Sequence, residues 1–110
     1  MICFIEIHIR SIFLQGLLLD FEIMNNSYFT QWNNIWENYS SWVKEANFNC
    51  IEACLSHVQS YSEISKIVIG VTKKSELEAI VNASFKKSIK APEFLISNDE
   101  RLINPTFWNL

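Results

Sequence analysis

Glycine and proline are scarce in this chain, two of each among 110 residues. Tight turns of a sheet draw heavily on glycine, so the turn chemistry is thin, as it would be in a chain cut from a larger α/β domain. Basic clusters are missing too. No run of Lys or Arg exceeds two residues and the formal charge is −3, which argues against a nucleic-acid partner, because such binding needs a basic face to displace counterions. No apolar run reaches the roughly 18 residues of a membrane span, and Glu6, His8 and Arg10 interrupt any signal-peptide core. Cysteine is limited to Cys3, Cys50 and Cys54, an odd number at spacings that make no disulfide framework. The expectation is a cytoplasmic chain with free thiols and no membrane partner.

What is present is ample for a core: 49% hydrophobic and 14% aromatic residues. Residues 4–10 alternate, with Ile5, Ile7 and Ile9 against Glu6, His8 and Arg10, the period of a strand. From 29 to 46 the apolar spacing becomes helical through Trp32, Ile35, Trp36, Tyr39, Trp42 and Val43. Three tryptophans on that stripe are expected in a core or interface. Asn47-Phe48-Asn49 breaks the helix. Asn49 and Glu52 then make a capping-box-like start for a second helix with Ile51, Cys54, Leu55 and Val58 on its buried face. The run Ile67-Val68-Ile69-Gly70-Val71 reads as a parallel strand covered on both sides. A third helix follows on Leu77, Ile80, Val81 and Phe85, with Lys86 and Lys87 at its negative pole. Pro92 opens a loop-like tail. Strands separated by helices imply a parallel crossover, and two such strands are an incomplete sheet with two open edges.

Two places could carry chemistry. At residues 66–82 a strand ends in glycine and a helix begins with Thr72, Lys73, Lys74 and Ser75, an arrangement suited to phosphate. The plainer reading is that Thr72 or Ser75 caps the helix and the lysines are solvated. At residues 8–20, Arg10 and Ser11 stand at the carboxyl end of the first strand, where α/β folds place ligands; the plainer reading pairs Arg10 with Glu6. Cys50, Cys54 and His57 share a helix face, but three ligands on one helix, one of them in the apolar stripe, read as core cysteine rather than zinc.

Together these segments resemble a known family. "RSIFLQGLLL" (10–19) is similar to the seventh strand and loop of aldo/keto reductases, usually Tyr-Ser-Pro-Leu-Ala-Gln-Gly-Leu-Leu-Thr, and "IVIGVTKKSELEAI" (67–80) is similar to their eighth strand and helix. The closing "LINPTFW" also fits bacterial members. The resemblance implies an α/β fold, an incomplete (β/α)8 TIM-barrel fragment of order β-α-α-β-α plus a carboxyl-terminal tail, with residues 1–110 as one partial domain. It implies a nicotinamide cofactor, NADP(H), held by Arg10, Ser11, Phe13, Gln15 and Gly16 at the nicotinamide and pyrophosphate, and by Gly70, Val71, Thr72, Lys73 and Glu76 at the adenosine end. Arg10 replaces the family's stacking aromatic, a role a guanidinium plane can fill. Glu76 replaces Gln or Arg and repels a 2′-phosphate, an effect Lys73 and Lys74 offset, and Ile80 replaces an adenine-binding Asn, so NAD(H) stands beside NADP(H). The family's catalytic Asp, Tyr, Lys and His have no counterpart, and the resemblance implies a carboxyl-terminal piece, inactive alone, whose partner is the missing amino-terminal portion. The rival expectation is a non-catalytic remnant or assembly module that self-associates through open sheet edges.

Overall fold

The computed structural model describes residues 6–86 and 88–110; Cys3, Ile5 and Lys87, each given a place above, lie outside the described residues. Its element order is β1 (His8–Ile9), α1 (Phe21–Met24), α2 (Asn33–Glu45), α3 (Cys50–Gln59), β2 (Lys66–Ile67), α4 (Lys74–Ser84) and α5 (Glu100–Ile103). Four 3-10 turns, Leu17–Leu19, Phe29–Trp32, Glu93–Leu95 and Pro105–Phe107, fill the gaps.

This corrects the expected fold. The described residues form a mostly helical domain with a two-stranded parallel sheet, not a TIM-barrel fragment of order β-α-α-β-α. The physical reason is where the apolar side chains go. The core gathers Leu17, Met24, Phe29, Trp32, Trp36, Tyr39, Trp42, Val43, Ala53 and Leu102, all from helices or helical turns. A barrel strand buries both faces, whereas Ile7 is exposed and Val68 is 56% exposed. The leucines after Gly16 wind into a helical turn, and α1 follows, capped by the Asp20 carboxylate accepting from the Glu22 N–H at 2.8 Å.

The pairing of β1 with β2 is short but specific, with His8 opposite Lys66 and Ile9 opposite Ile67. Beyond the ladder, the Val68 N–H donates to the Ile9 carbonyl at 2.8 Å, and the Ser65 N–H donates to the Ile7 carbonyl at 2.8 Å. Glu6 serves the same face by pairing with His8 at 3.3 Å and Lys66 at 3.5 Å.

The helices end for identifiable reasons. Asn47 takes φ +57° after α2. Its N–H reaches the Lys44 carbonyl, and that of Phe48 the Val43 carbonyl, the paired bonds of a Schellman stop with Asn in place of Gly. The capping box expected for α3 is formed: the Asn49 side chain accepts from the Glu52 N–H at 2.8 Å and the Glu52 carboxylate accepts from the Asn49 N–H at 2.9 Å. Such a cap stabilises by about 1 kcal/mol.

The tail is not a loose loop. Tyr28 donates its hydroxyl to the Arg101 carbonyl at 2.6 Å, and Trp108 donates its indole N–H to the Leu102 carbonyl at 2.9 Å. The rings of Phe29 and Trp108 meet edge to face at 4.9 Å, and Leu102 is buried beneath. Asp99 accepts from the Trp32 indole at 3.2 Å and pairs with Arg101 at 2.9 Å, which holds its carboxyl down at about 2. No helix among the described residues is long and apolar enough to cross a membrane.

Candidate functional site

The parallel pair puts the carboxyl ends of both strands side by side. Residues 10–16 leave β1 and residues 68–70 leave β2 at the same end. There they enclose a cleft of about 360 Å³ lined by Arg10, Ser11, Phe13, Gln15, Gly16 and Gly70, with Ile12, Val68 and Ile69. Six of the ten residues singled out from the sequence therefore converge, across more than fifty residues of chain. Ligand sites of α/β sheets lie at this end, and the volume is in the range of small-molecule pockets.

The backbone of the first wall is unusual. Ser11, Leu14, Gln15 and Gly16 have φ of +60°, +50°, +57° and +82°. Glycine adopts this region freely, but each of the other three costs about 1–3 kcal/mol. Such strain persists only where neighbours fix the chain. Here Leu17 is 1% exposed, and the Tyr39 hydroxyl donates to the Leu18 carbonyl at 2.8 Å. The Leu14 N–H donates to the Ser11 carbonyl and the Leu17 N–H to the Leu14 carbonyl, both at 3.1 Å. The loop is thus tied into the core just past the cleft. Sequence pattern flagged its polar residues and Gly16 but gave no signal for Leu14.

Val71, Thr72, Lys73 and Glu76 are not brought to that lining. All four are exposed, around the start of α4. Glu76 turns its carboxylate back, accepting from the Thr72 N–H at 3.1 Å and hydroxyl at 3.2 Å. The helix start that would receive a phosphate thus carries a carboxylate of its own. Lys74 pairs with Glu78 at 3.8 Å, an exposed pair of small worth, while Lys73 enters no ion pair among the described residues. Arg10 likewise enters none among the described residues, while Glu6 contacts His8 and Lys66, and Arg10 lies on the cleft lining.

The α3 cluster has a different character. Among the described residues no three His, Cys, Asp or Glu side chains gather as a metal site. Cys54 is buried, and burial pushes its thiol up to about 12; its sulfur lies 3.7 Å from the Tyr39 hydroxyl. Burial likewise raises Cys50. His57 accepts at Nδ1 from the Ala91 N–H at 2.9 Å, which leaves the proton on Nε2. Burial, then the Lys90 charge, pull the imidazole below its usual range. None of these thiols is poised as a nucleophile.

Comparison with protein-family models, with curated proteins and with solved structures finds no match to this chain.

Proposed function

We propose that residues 10–16 and 68–70 form half of a nicotinamide dinucleotide site, and that the chain is the carboxyl-terminal part of an NAD(P)H-dependent oxidoreductase resembling aldo/keto reductases. The observation that supports this is the convergence of Arg10, Ser11, Phe13, Gln15, Gly16 and Gly70 around one cleft at the carboxyl ends of two parallel strands. Arg10 supplies a cation for the pyrophosphate or a plane for the nicotinamide. Gly16 holds φ +82°, a conformation that favours glycine, and leaves its backbone bare beside open space. The cofactor is NADP(H), with NAD(H) admitted because the Glu76 carboxylate occupies the helix start and leaves Lys73 to meet a 2′-phosphate. Hydride transfer is not carried out by these residues, because no proton donor of the family's kind is among them.

Titration of the chain with NADPH, read by the cofactor's own fluorescence, tests this. Saturable binding that weakens about tenfold in Arg10→Ala is the expected result, about 1.4 kcal/mol. No binding in the wild-type chain at millimolar cofactor overturns it.

One observation favours a second reading, an assembly module. Phe85 is 83% exposed, Leu77 49% and Val81 44%, a row of apolar side chains spaced by four along α4 and its C-cap. Light scattering that shows a stable oligomer, lost in Phe85→Ser and accompanied by no NADPH binding, would favour this reading.

A further inference from the structure

On the helical side of the molecule, α2, α3 and residues 90–96 enclose a second cavity, of about 340 Å³. Its walls are aromatic and aliphatic: Trp36, Tyr39 and Trp42 from α2, Ala53 and Val58 from α3, and Leu95 from the returning chain. Several of the polar side-chain atoms on the lining are already spent on the protein. The Tyr39 hydroxyl is committed to the Leu18 carbonyl at 2.8 Å, and the Cys54 sulfur rests against that hydroxyl. A polar body placed against these atoms would find few partners, and buried polar groups without partners cost about 1–3 kcal/mol each.

The mouth differs. Lys90 and His57 both lie on the lining. Lys90 holds its ammonium 4.2 Å from the centre of the Tyr61 ring and enters no ion pair among the described residues. Tyr61 stands edge to face with His57 at 5.3 Å, so cation, phenol and imidazole form one group. His57, bound at Nδ1 by the Ala91 N–H, offers Nε2–H as a second donor. Glu93 is the lining's only carboxylate and is exposed, where water and salt screen its repulsion.

An apolar pocket with a few convergent polar groups at one end is the usual build of a small-ligand site. We propose that this cavity binds an amphiphilic carboxylate, with its hydrocarbon body against Trp36, Trp42 and Val58 and its carboxylate at the mouth on Lys90 and the His57 Nε2–H. The site adjoins the dinucleotide cleft, with Ile12 on the lining of both, but its residues of recognition are its own and neither proposal depends on the other.

Octanoate is the probe, and the tryptophans of the wall are the reporter. Titration of the whole chain is expected to give a saturable change in tryptophan emission. Octan-1-ol, with the same chain and no charge, and acetate, with the charge and almost no chain, each bind at least about tenfold more weakly. Lys90→Gln, at an exposed position, is expected to keep the circular dichroism of the parent and lose about tenfold in octanoate affinity. Val58→Phe, which fills the cavity, is expected to weaken octanoate and octan-1-ol alike. The proposal is overturned if octanoate produces no saturable change, if octan-1-ol binds as tightly as octanoate, or if Lys90→Gln leaves octanoate binding unchanged.

Discussion

The Tyr39 hydroxyl donates to the Leu18 carbonyl at 2.8 Å across twenty-one residues, and this bond joins the strained cleft loop to the central helix. Tyr39→Phe keeps the ring and removes the donor. The Leu18 carbonyl left behind is part-buried, so the expected loss is about 1 kcal/mol, the low end for an unmet acceptor. Urea unfolding is expected to show a lower midpoint with an unchanged slope, since the surface exposed on unfolding does not change.

Ser56 ties the chain after α4 to α3. Its buried hydroxyl donates to the Ile89 carbonyl at 3.1 Å and accepts from the Ile89 N–H. Ser56→Ala strands both backbone groups, so a loss of about 2 kcal/mol is expected, and Ser56→Thr recovers part of it. Thermal unfolding of the three proteins side by side measures this order.

Acid acts on the same junction through His57. The folded protein holds this imidazole neutral and below its ordinary pKa of 6.5. The unfolded chain therefore takes up its proton first as pH falls. The contribution to stability is complete above about 6.5 and is lost as pH drops through the lower folded value. Protonation also removes the Nδ1 acceptor from the Ala91 N–H. Urea midpoints between pH 7.5 and 5 should fall in the wild type, and fall less in His57→Gln.

Thiol reactivity reports burial directly. With its pKa pushed up to about 12, Cys54 carries almost no thiolate at pH 8, and the thiolate is the species that alkylates. Iodoacetamide followed by peptide mass mapping should leave Cys54 unmodified in the folded protein, with full labelling in urea. Cys50, half-buried and also raised, should react more slowly in the folded chain than in the unfolded one.

The parts of this fold that are local in origin were legible. The Asn49–Glu52 cap depends on residues three apart, and the α2 stripe on a period within one helix, so neither needed tertiary information. Trp32, Trp36 and Trp42 are buried as their spacing suggests. The sheet was not legible in its extent. Alternation over 4–10 and the apolar run 67–71 pointed to longer strands, yet among the described residues only His8–Ile9 and Lys66–Ile67 pair, because pairing length depends on a partner rather than on the strand's own pattern. Leu77, Val81 and Phe85 have helical spacing, but spacing cannot say whether anything covers them; here they are exposed. Six residues of the cleft lining stood out in the sequence through two motifs that resemble a known family, while the helical cavity did not stand out, because its lining is assembled mainly from α2, α3 and a tail without a periodic signal.

The two-residue sheet also sets an order of events in time. Its contacts close a loop of 58 residues, an entropic cost that rises with chain separation, and few bonds repay it. The core of α2, α3 and the leucine turn is expected to organise before the two strands meet. By the same token the strand pair opens first in the native protein, and the amides of Ser65, Lys66 and Val68 should exchange with deuterium well ahead of those in α2. The meeting of the two cleft walls is therefore expected to be the last feature to form and the first to open, and a ligand that bridged Arg10 and Gly70 would act as the clasp.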